Sequence, residues 1–301
     1  MKLAVVGIGD IAQKAYLPVY AAREDVDIHL ISREEEKAKK WQSMYRFSGT
    51  FPTLEAALSE GMDAVMIHSA TKAHVTQAKQ ALEAGVPVFV DKPISMNIEE
   101  IRELVQLAEE KKVPFITGFN RRFASAHRRL LEVESPNMII MQKNRTPSVE
   151  GAQPFLFDDF IHVADTLRYL TGRGKIENLH IRSKQDTSGL HHVTIQFESN
   201  GITAIGVMNR NNGVTEERVE VMGPHEKRIA TDVTMHERQT SEGTLVYPLD
   251  NWESTLSRRG FIALIDAFLK TIAGEPSASV TASDSLETHE LCHHIYQHVM
   301  R

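Results

Sequence analysis

The strongest constraint on this chain lies near its start, where the apolar run Leu3-Ala4-Val5-Val6 leads directly into Gly7-Ile8-Gly9-Asp10-Ile11-Ala12. Two glycines after a strand permit a tight turn and close backbone approach. Ala12 keeps the following helix near that strand, so a pyrophosphate can rest on the helix N-terminus. A plain strand-to-helix turn would use the same residues, but the alternation of strand and helix patterns downstream favours the dinucleotide. Leu3–Val6, Asp27–Ile31, Ala64–Ile67, Val86–Val90 and Phe115–Thr117 read as short strands with helical patterns between them. The clearest helix is Ile98–Lys112, with Asn97 placed to cap, Glu100 three residues on, and Pro114 as a stop. Strand and helix in alternation imply a parallel sheet covered on both faces. The expected fold class is therefore α/β, with an N-terminal doubly wound Rossmann sheet.

After Phe123 the texture changes. Met138–Gln142, His192–Phe197, Thr203–Val207 and Arg218–Met222 succeed one another with few helices between, and helical patterns return at Asp158–Leu170, Phe261–Ala273 and Ser283–Val299. A chain of 301 residues exceeds what one core usually serves. The reading is a dinucleotide domain over 1–121 and a C-terminal α+β domain over 122–301 with an open, mainly antiparallel sheet.

Composition narrows the partners. No apolar run approaches a bilayer span, and a formal charge of −6 without a basic block argues against a nucleic-acid backbone. The single cysteine, Cys292, excludes an internal disulfide and fits a reducing, cytoplasmic setting. A small-molecule partner is expected.

At the end of the second strand an acidic residue ordinarily binds the adenosine ribose hydroxyls, but here Ile31 is followed by Ser32-Arg33. A hydroxyl and a guanidinium suit a 2′-phosphate, which favours NADP, with NAD as the alternative. Arg33 stacked on adenine would fit NAD as well. Asp91-Lys92-Pro93 comes after a strand at the carboxyl end of the sheet, where open α/β folds place ligands; alone it is a turn with a lysine. In the segment 158–170, at about 100° per residue, Asp158, His162, Asp165 and Tyr169 fall within roughly 60° of one another. Phe160, Val163, Ala164, Leu167 and Leu170 face the other way. That gives a helix with one side for a sheet and a polar side for a cleft or for water.

His289-Glu290-Leu291-Cys292-His293 satisfies the H-E-x-x-H pattern of zinc proteases. Only eight residues come after His293, leaving little room for a third ligand and a substrate cleft. The expectation is no metal, with these residues on a polar helix face.

Several of these segments together resemble the Gfo/Idh/MocA oxidoreductase family across nearly the whole chain. Asp91-Lys92-Pro93 is similar to its Glu-Lys-Pro motif, His74 to the histidine after its fourth strand, and Gly118-Phe119-Asn120-Arg121-Arg122-Phe123 to the stretch joining its domains. Ile11-Ala12-Gln13-Lys14-Ala15, His68-Ser69, Asp158-Asp159 and Trp252-Glu253-Ser254-Thr255-Leu256 resemble its MviM-like branch. The resemblance implies an NAD(P)-dependent oxidoreductase acting on sugars, inositols or polyols, and a homodimer or higher oligomer through the C-terminal sheet. Cofactor contacts would come from Gly7, Gly9, Asp10, Ile11, Ala12, Ser32, Arg33, His68, Ser69, His74, Asp91, Lys92, Asn120 and Arg122. Catalysis would fall to Lys92 and His162, with Asp158 fixing substrate hydroxyls or the imidazole. Asp91 is shorter than the family's glutamate, and Phe160 replaces a glycine close to His162, where it could narrow the pocket or alter the chemistry. A protein that binds NAD(P) as a sensor or scaffold without turnover is the competing reading.

Overall fold

The apolar runs of the first third become the strands of one parallel sheet. In the computed structural model, which describes residues 1–275, 277 and 280–301, β1 (Lys2–Val6), β2 (Asp27–Ile31), β3 (Gly49–Phe51), β4 (Ala64–Ile67), β5 (Val88–Val90) and β6 (Phe115–Thr117) line up in the order β3-β2-β1-β4-β5-β6. Every neighbouring pair is parallel. The order reverses between β1 and β4, the position where such sheets open a crevice for a ligand.

The covering helices are α1 (Leu17–Ala21), α2 (Glu35–Tyr45), α3 (Leu54–Ser59), α4 (Thr71–Glu83) and α5 (Ile98–Lys111). A π-helical turn, Ala12–Tyr16, leads into α1 and ends with the Leu17 N–H on the Ala12 carbonyl. Pro18 comes immediately after; it has no N–H to continue an α-type ladder, which accounts for a widened turn at this point. On α5 the Asn97 side chain accepts the Glu99 N–H at 3.0 Å. Glu100 does not return to Asn97: Ser95 accepts the Asn97 N–H and donates to Glu100. The cap is closed through a residue the sequence pattern did not suggest.

In the second part α6 (Ser125–Leu130) precedes β7 (Met138–Asn144), and a short α7 (Ala152–Pro154) leads through a π-helical stretch, Phe155–Phe160, into α8 (Ile161–Leu170). Then come β8 (Glu177–Asp186), β9 (Gly189–Ser199), β10 (Ile202–Asn209), β11 (Glu216–Met222), β12 (Lys227–Thr231), β13 (Met235–Thr240) and β14 (Gly243–Tyr247). The sheet order is β14-β13-β12-β11-β7-β10-β9-β8, antiparallel except for β10 against β7. Gly206 on β10 lets α8 settle on the sheet: a Cβ there would lie 2.8 Å from Val163 and 2.9 Å from Leu167. The apolar side foreseen for this helix is the side that packs. The last helices are α9 (Thr255–Arg258), α10 (Phe261–Ile272) and α11 (Ala282–Val299).

The chain divides into one unit of Met1–Gly118 with Phe261–Leu286 and a second of Phe119–Gly260 with Glu287–Arg301. The sequence reading put all of 122–301 in the second domain, whereas α10 packs with the first unit. Phe268 meets Phe89 at 5.7 Å between ring centres, and Phe261 meets Tyr16 at 5.4 Å. These aromatic contacts join segments far apart in sequence and leave no local pattern.

Candidate active site

The turn after β1 has the shape a dinucleotide requires. Gly7 has φ +95°, and a Cβ on it would sit 2.5 Å from the Ser69 nitrogen, so only glycine lets this turn lie against the one after β4. A Cβ on Gly9 would meet nothing closer than the His68 carbonyl at 3.9 Å, leaving its outer side open. The helix begins with the Gln13 N–H on the Gly9 carbonyl, and Gln13 Nε2 holds the Ile8 carbonyl at 2.9 Å. Asp10, paired with Lys14 at 2.8 Å, and Ile11 are exposed in the first turn, and Ala12 is buried. Ser32 accepts the Glu34 N–H at 3.1 Å. Arg33 beside it is exposed and, among the described residues, has no ion-pair or hydrogen-bond partner. Glu34 and Glu35 are engaged by Lys37 and Lys39. These features fit a dinucleotide: an open glycine turn for its pyrophosphate and an unspent cation where a 2′-phosphate would fall.

The turns after β4 and β5 are tied together from beneath. The His68 ring stacks on Tyr16 at 3.9 Å, and its Nε2 lies 2.8 Å from the Tyr20 hydroxyl. Burial, with the charge of His74 in support, lowers His68 to about 3, so it is a neutral packing residue whose ring is 2% exposed. Tyr16 donates to Asp91 Oδ1 at 3.1 Å, and the Lys92 N–H donates to the same oxygen at 2.9 Å. Burial raises the Asp91 carboxyl, while the Lys92 charge and N–H oppose that shift. His74, also buried, lies 2.8 Å from the Pro93 carbonyl and 2.9 Å from the Ser69 carbonyl. Ser69 donates to Gln77 on α4 at 2.6 Å. His74, expected at the cofactor, holds the Ser69 and Lys92-Pro93 turns, while His68, also expected there, packs on Tyr16 and Tyr20 with its Nδ1 buried and without a hydrogen-bond partner among the described residues. Asp91 anchors the Lys92-Pro93 turn, and the Lys92–Pro93 peptide is cis.

The second unit carries the other expected residues. Asp158 lies in the π-helical stretch and His162, 9% exposed, in the first turn of α8. Among the described residues π-helical turns occur here and after the glycine turn, the two places where site residues are expected; such turns are often found at functional sites. The wider turn also means that a uniform 100° step does not relate Asp158 to His162. Phe160 is fully buried and its ring stacks toward Phe155 at 6.5 Å. The polar face foreseen for 158–170 is only partly available: Asp165 is buried and accepts from Arg122 Nη2 at 2.5 Å and Nε at 3.0 Å, with Thr288 on it at 3.2 Å. Arg122 also lies over the rings of Phe119 and Tyr169. Asn120 gives its amide to the Arg259 carbonyl at 2.9 Å. Arg122 and Asn120 are therefore engaged inside the second unit.

Sequence reasoning named Asp159 only within the Asp158-Asp159 resemblance and gave it no role. It accepts both arms of Arg145, at 2.9 and 3.0 Å, and is approached by Lys143 at 3.3 Å and Arg210 at 2.9 Å. Burial alone would raise its carboxyl; the Arg145 hydrogen bonds and the three cations outweigh that and bring it to about 2. In α11, His289 is buried with its ring 6.0 Å from Phe119, and His293 lies 2.9 Å from Gln297. Among the described residues no group of three or more His, Cys, Asp or Glu side chains could hold a metal ion. No helix among them is long and apolar enough to cross a membrane.

A parallel sheet in the order 3-2-1-4-5-6, with an open glycine turn at its switch point, defines a nucleotide-binding Rossmann protein. Residues 1–119 match the family model described as oxidoreductase family, NAD-binding Rossmann fold, and residues 128–243 match that of the YceM-like C-terminal domain. A Gfo/Idh/MocA family oxidoreductase from Vibrio cholerae is 30% identical in sequence with a TM-score of 0.92, covering 100% of both chains. The chain belongs to the Gfo/Idh/MocA oxidoreductase family and is an oxidoreductase with an NAD-binding Rossmann domain. It is also similar to the putative oxidoreductase YceM of Salmonella typhimurium, 29% identical over 91% of this chain and 90% of that protein. With the myo-inositol 2-dehydrogenase of Thermotoga maritima it shares 24% identity over 92% of this chain and 90% of that one.

Proposed function

We propose that this protein is an NADP-preferring dehydrogenase of a sugar, inositol or polyol, with Lys92, His162 and Asp158 serving one reaction. The observation that carries the reading is the construction of the Lys92 turn. It lies at the carboxyl end of β5 and is fixed by Asp91 below and His74 from α4, more support than a surface lysine requires. Likeness to a myo-inositol 2-dehydrogenase supports the substrate class, and the exposed Arg33, without a partner among the described residues, supports NADP over NAD. A bound nicotinamide cofactor would supply hydride transfer between its ring and the carbinol carbon of the substrate.

The protein's part is proton handling and positioning. Lys92, on the turn at the carboxyl end of β5, would hydrogen-bond the reacting oxygen. His162 takes the hydroxyl proton as general base, and Asp158 holds substrate hydroxyls or orients the imidazole. Oligomerisation through the eight-stranded sheet belongs to the same reading; its edge strand β14 exposes Leu245 and Val246. A panel of polyols, sugars and keto-sugars with each cofactor, followed at the NAD(P)H absorbance, tests the function. Turnover of a polyol or sugar supports it, and tight cofactor binding with no hydride transfer to any of them would favour the sensor.

A further inference from the structure

A network of charges runs through the second unit. Lys143 on β7 lies between two carboxylates, 3.1 Å from Glu217 and 3.3 Å from Asp159. Glu217 takes both arms of Arg121 at 2.6 and 2.7 Å, Asp159 takes both arms of Arg145, and Arg210 joins Asp159 at 2.9 Å to Glu150 at 2.6 Å. Four cations thus share three carboxylates. Arg259 adds a further positive charge, and among the described residues its guanidinium has no hydrogen-bond or ion-pair partner. Burial, and next the charge of Arg121, push Arg259 below its ordinary value; Glu217 and Asp232 oppose this and Arg145 adds to it.

Two further features suggest a ligand rather than an accident of packing. Arg259 is half-buried yet fixed from behind. Its carbonyl is held by Asn120, and Gly260 at φ +82° brings the chain so close that a Cβ there would lie 2.4 Å from the Asn120 carbonyl and 2.5 Å from the Ala124 nitrogen. These contacts fix the backbone from which the Arg259 side chain springs and leave its guanidinium available to an anion. His127, 1% exposed against the same charges, has neither ring nitrogen hydrogen-bonded. Burial lowers it to about 4, Glu217 opposing and Arg121 and Arg259 reinforcing, so it adds an unmet polar group rather than a counter-charge.

We propose that Arg259, with Arg145 and Arg121 beside it, binds the anionic group of the substrate, a carboxylate or a phosphate carried by a sugar-like molecule. That the anion belongs to a substrate rests on the proposed function; the anion site itself rests on the charge and packing of the second unit. Guanidinium groups pair with both oxyanions through parallel hydrogen bonds, so the site chemistry alone admits either.

The test is calorimetric titration of the full-length protein, without cofactor and at low salt, with D-glucose 6-phosphate, D-glucuronate and D-glucose. At least one anionic sugar should bind tenfold or more tightly than glucose, and which one does so identifies the group. Arg259→Gln, checked for folding by circular dichroism, should remove about tenfold or more of that affinity, and Arg259→Lys should retain part of it. Arg145→Gln, just past the end of β7, should act in the same direction. Equal binding of all three sugars, or full anion affinity in a folded Arg259→Gln, overturns the site. Anion binding without hydride transfer to any substrate would sink the reaction and leave the site. Rapid turnover of neutral sugars with no anion preference would do the reverse.

Discussion

His74 Nδ1 lies 2.8 Å from the carbonyl oxygen of Pro93, tying α4 directly to the turn that carries Lys92. Its Nε2 reaches the Ser69 carbonyl at 2.9 Å, so the turns after β4 and β5 hang on one ring. Both partners are carbonyl oxygens and can only accept hydrogen bonds. Removing the ring should let Lys92 drift while leaving the glycine turn intact. His74→Ala is expected to lower kcat by roughly ten- to a hundredfold, the scale of a small misplacement of a reacting group. NADPH affinity, followed by fluorescence titration, should stay within about threefold, less than one neutral hydrogen bond is worth. An unchanged kcat would show that the ring does not position Lys92.

Arg33 offers a cation that nothing else in the described structure uses. Arg33→Ala should therefore weaken NADP binding by about tenfold or more, as for a lost charge-assisted hydrogen bond, while NAD binding moves little. Because no ion pair is broken, the unfolding midpoint in urea should not shift. Equal losses for both cofactors would mean that Arg33 stacks on adenine instead of meeting a phosphate.

The Arg122–Asp165 pair is buried on both sides, 4% and 2% exposed. Deleting one partner strands the other charge away from water, which typically costs about 3–5 kcal/mol. Asp165→Ala should destabilise the fold on that scale in urea unfolding. The double variant with Arg122→Met should recover part of the loss, since neither charge is then left alone. A single variant as stable as the parent would contradict the buried pairing.

Acid should weaken this fold well above the carboxylate range. His68 is held at about 3 and His127 at about 4, both lowered first by burial. The unfolded chain takes up these protons near pH 6.5 and the folded chain does not. Stability is therefore full above pH 6.5 and falls as pH drops, until the folded values are reached. Each imidazole should account for about 2 kcal/mol between pH 7 and 5. Asp159 works lower: its carboxyl, depressed to about 2, contributes stability that is present above the ordinary carboxylate value and lost as pH falls toward 2. Urea unfolding at pH 7, 6 and 5 checks the first window. The slope should flatten in His127→Gln; an identical slope would remove His127 as a cause.

Much of the first unit was legible because its strands are apolar on both faces and its glycine turn sits at the end of one. The edge strand β3 was not: Gly49–Phe51 is short and only partly buried. In the second sheet, β9, β10 and β11 announced themselves by alternation, with every second residue buried or nearly so. β8 and β14 are exposed along almost their whole length, so no apolar pattern marks them. Of the proposed site, Lys92, Asp158 and His162 come from spacing and resemblance. What spacing could not give was the partner of each polar residue. Asp165 read as an open polar face because Arg122, 43 residues away, is invisible to a helical wheel. The crowd of cations around Asp159 comes from separate strands and loops for the same reason.

Lys92 and its turn can be put to trial by single-site kinetics of Lys92→Ala, with His162→Ala beside it, once a substrate from the panel turns over. General acid–base and hydrogen-bonding help is worth about 10²–10⁴ in rate, so each variant should lose that much in kcat while NADP affinity stays within about tenfold. If the two act on one proton transfer, the double variant should lose less than the product of the two single losses. Near-normal turnover in Lys92→Ala would contradict the assignment of the chemistry to the turn after β5.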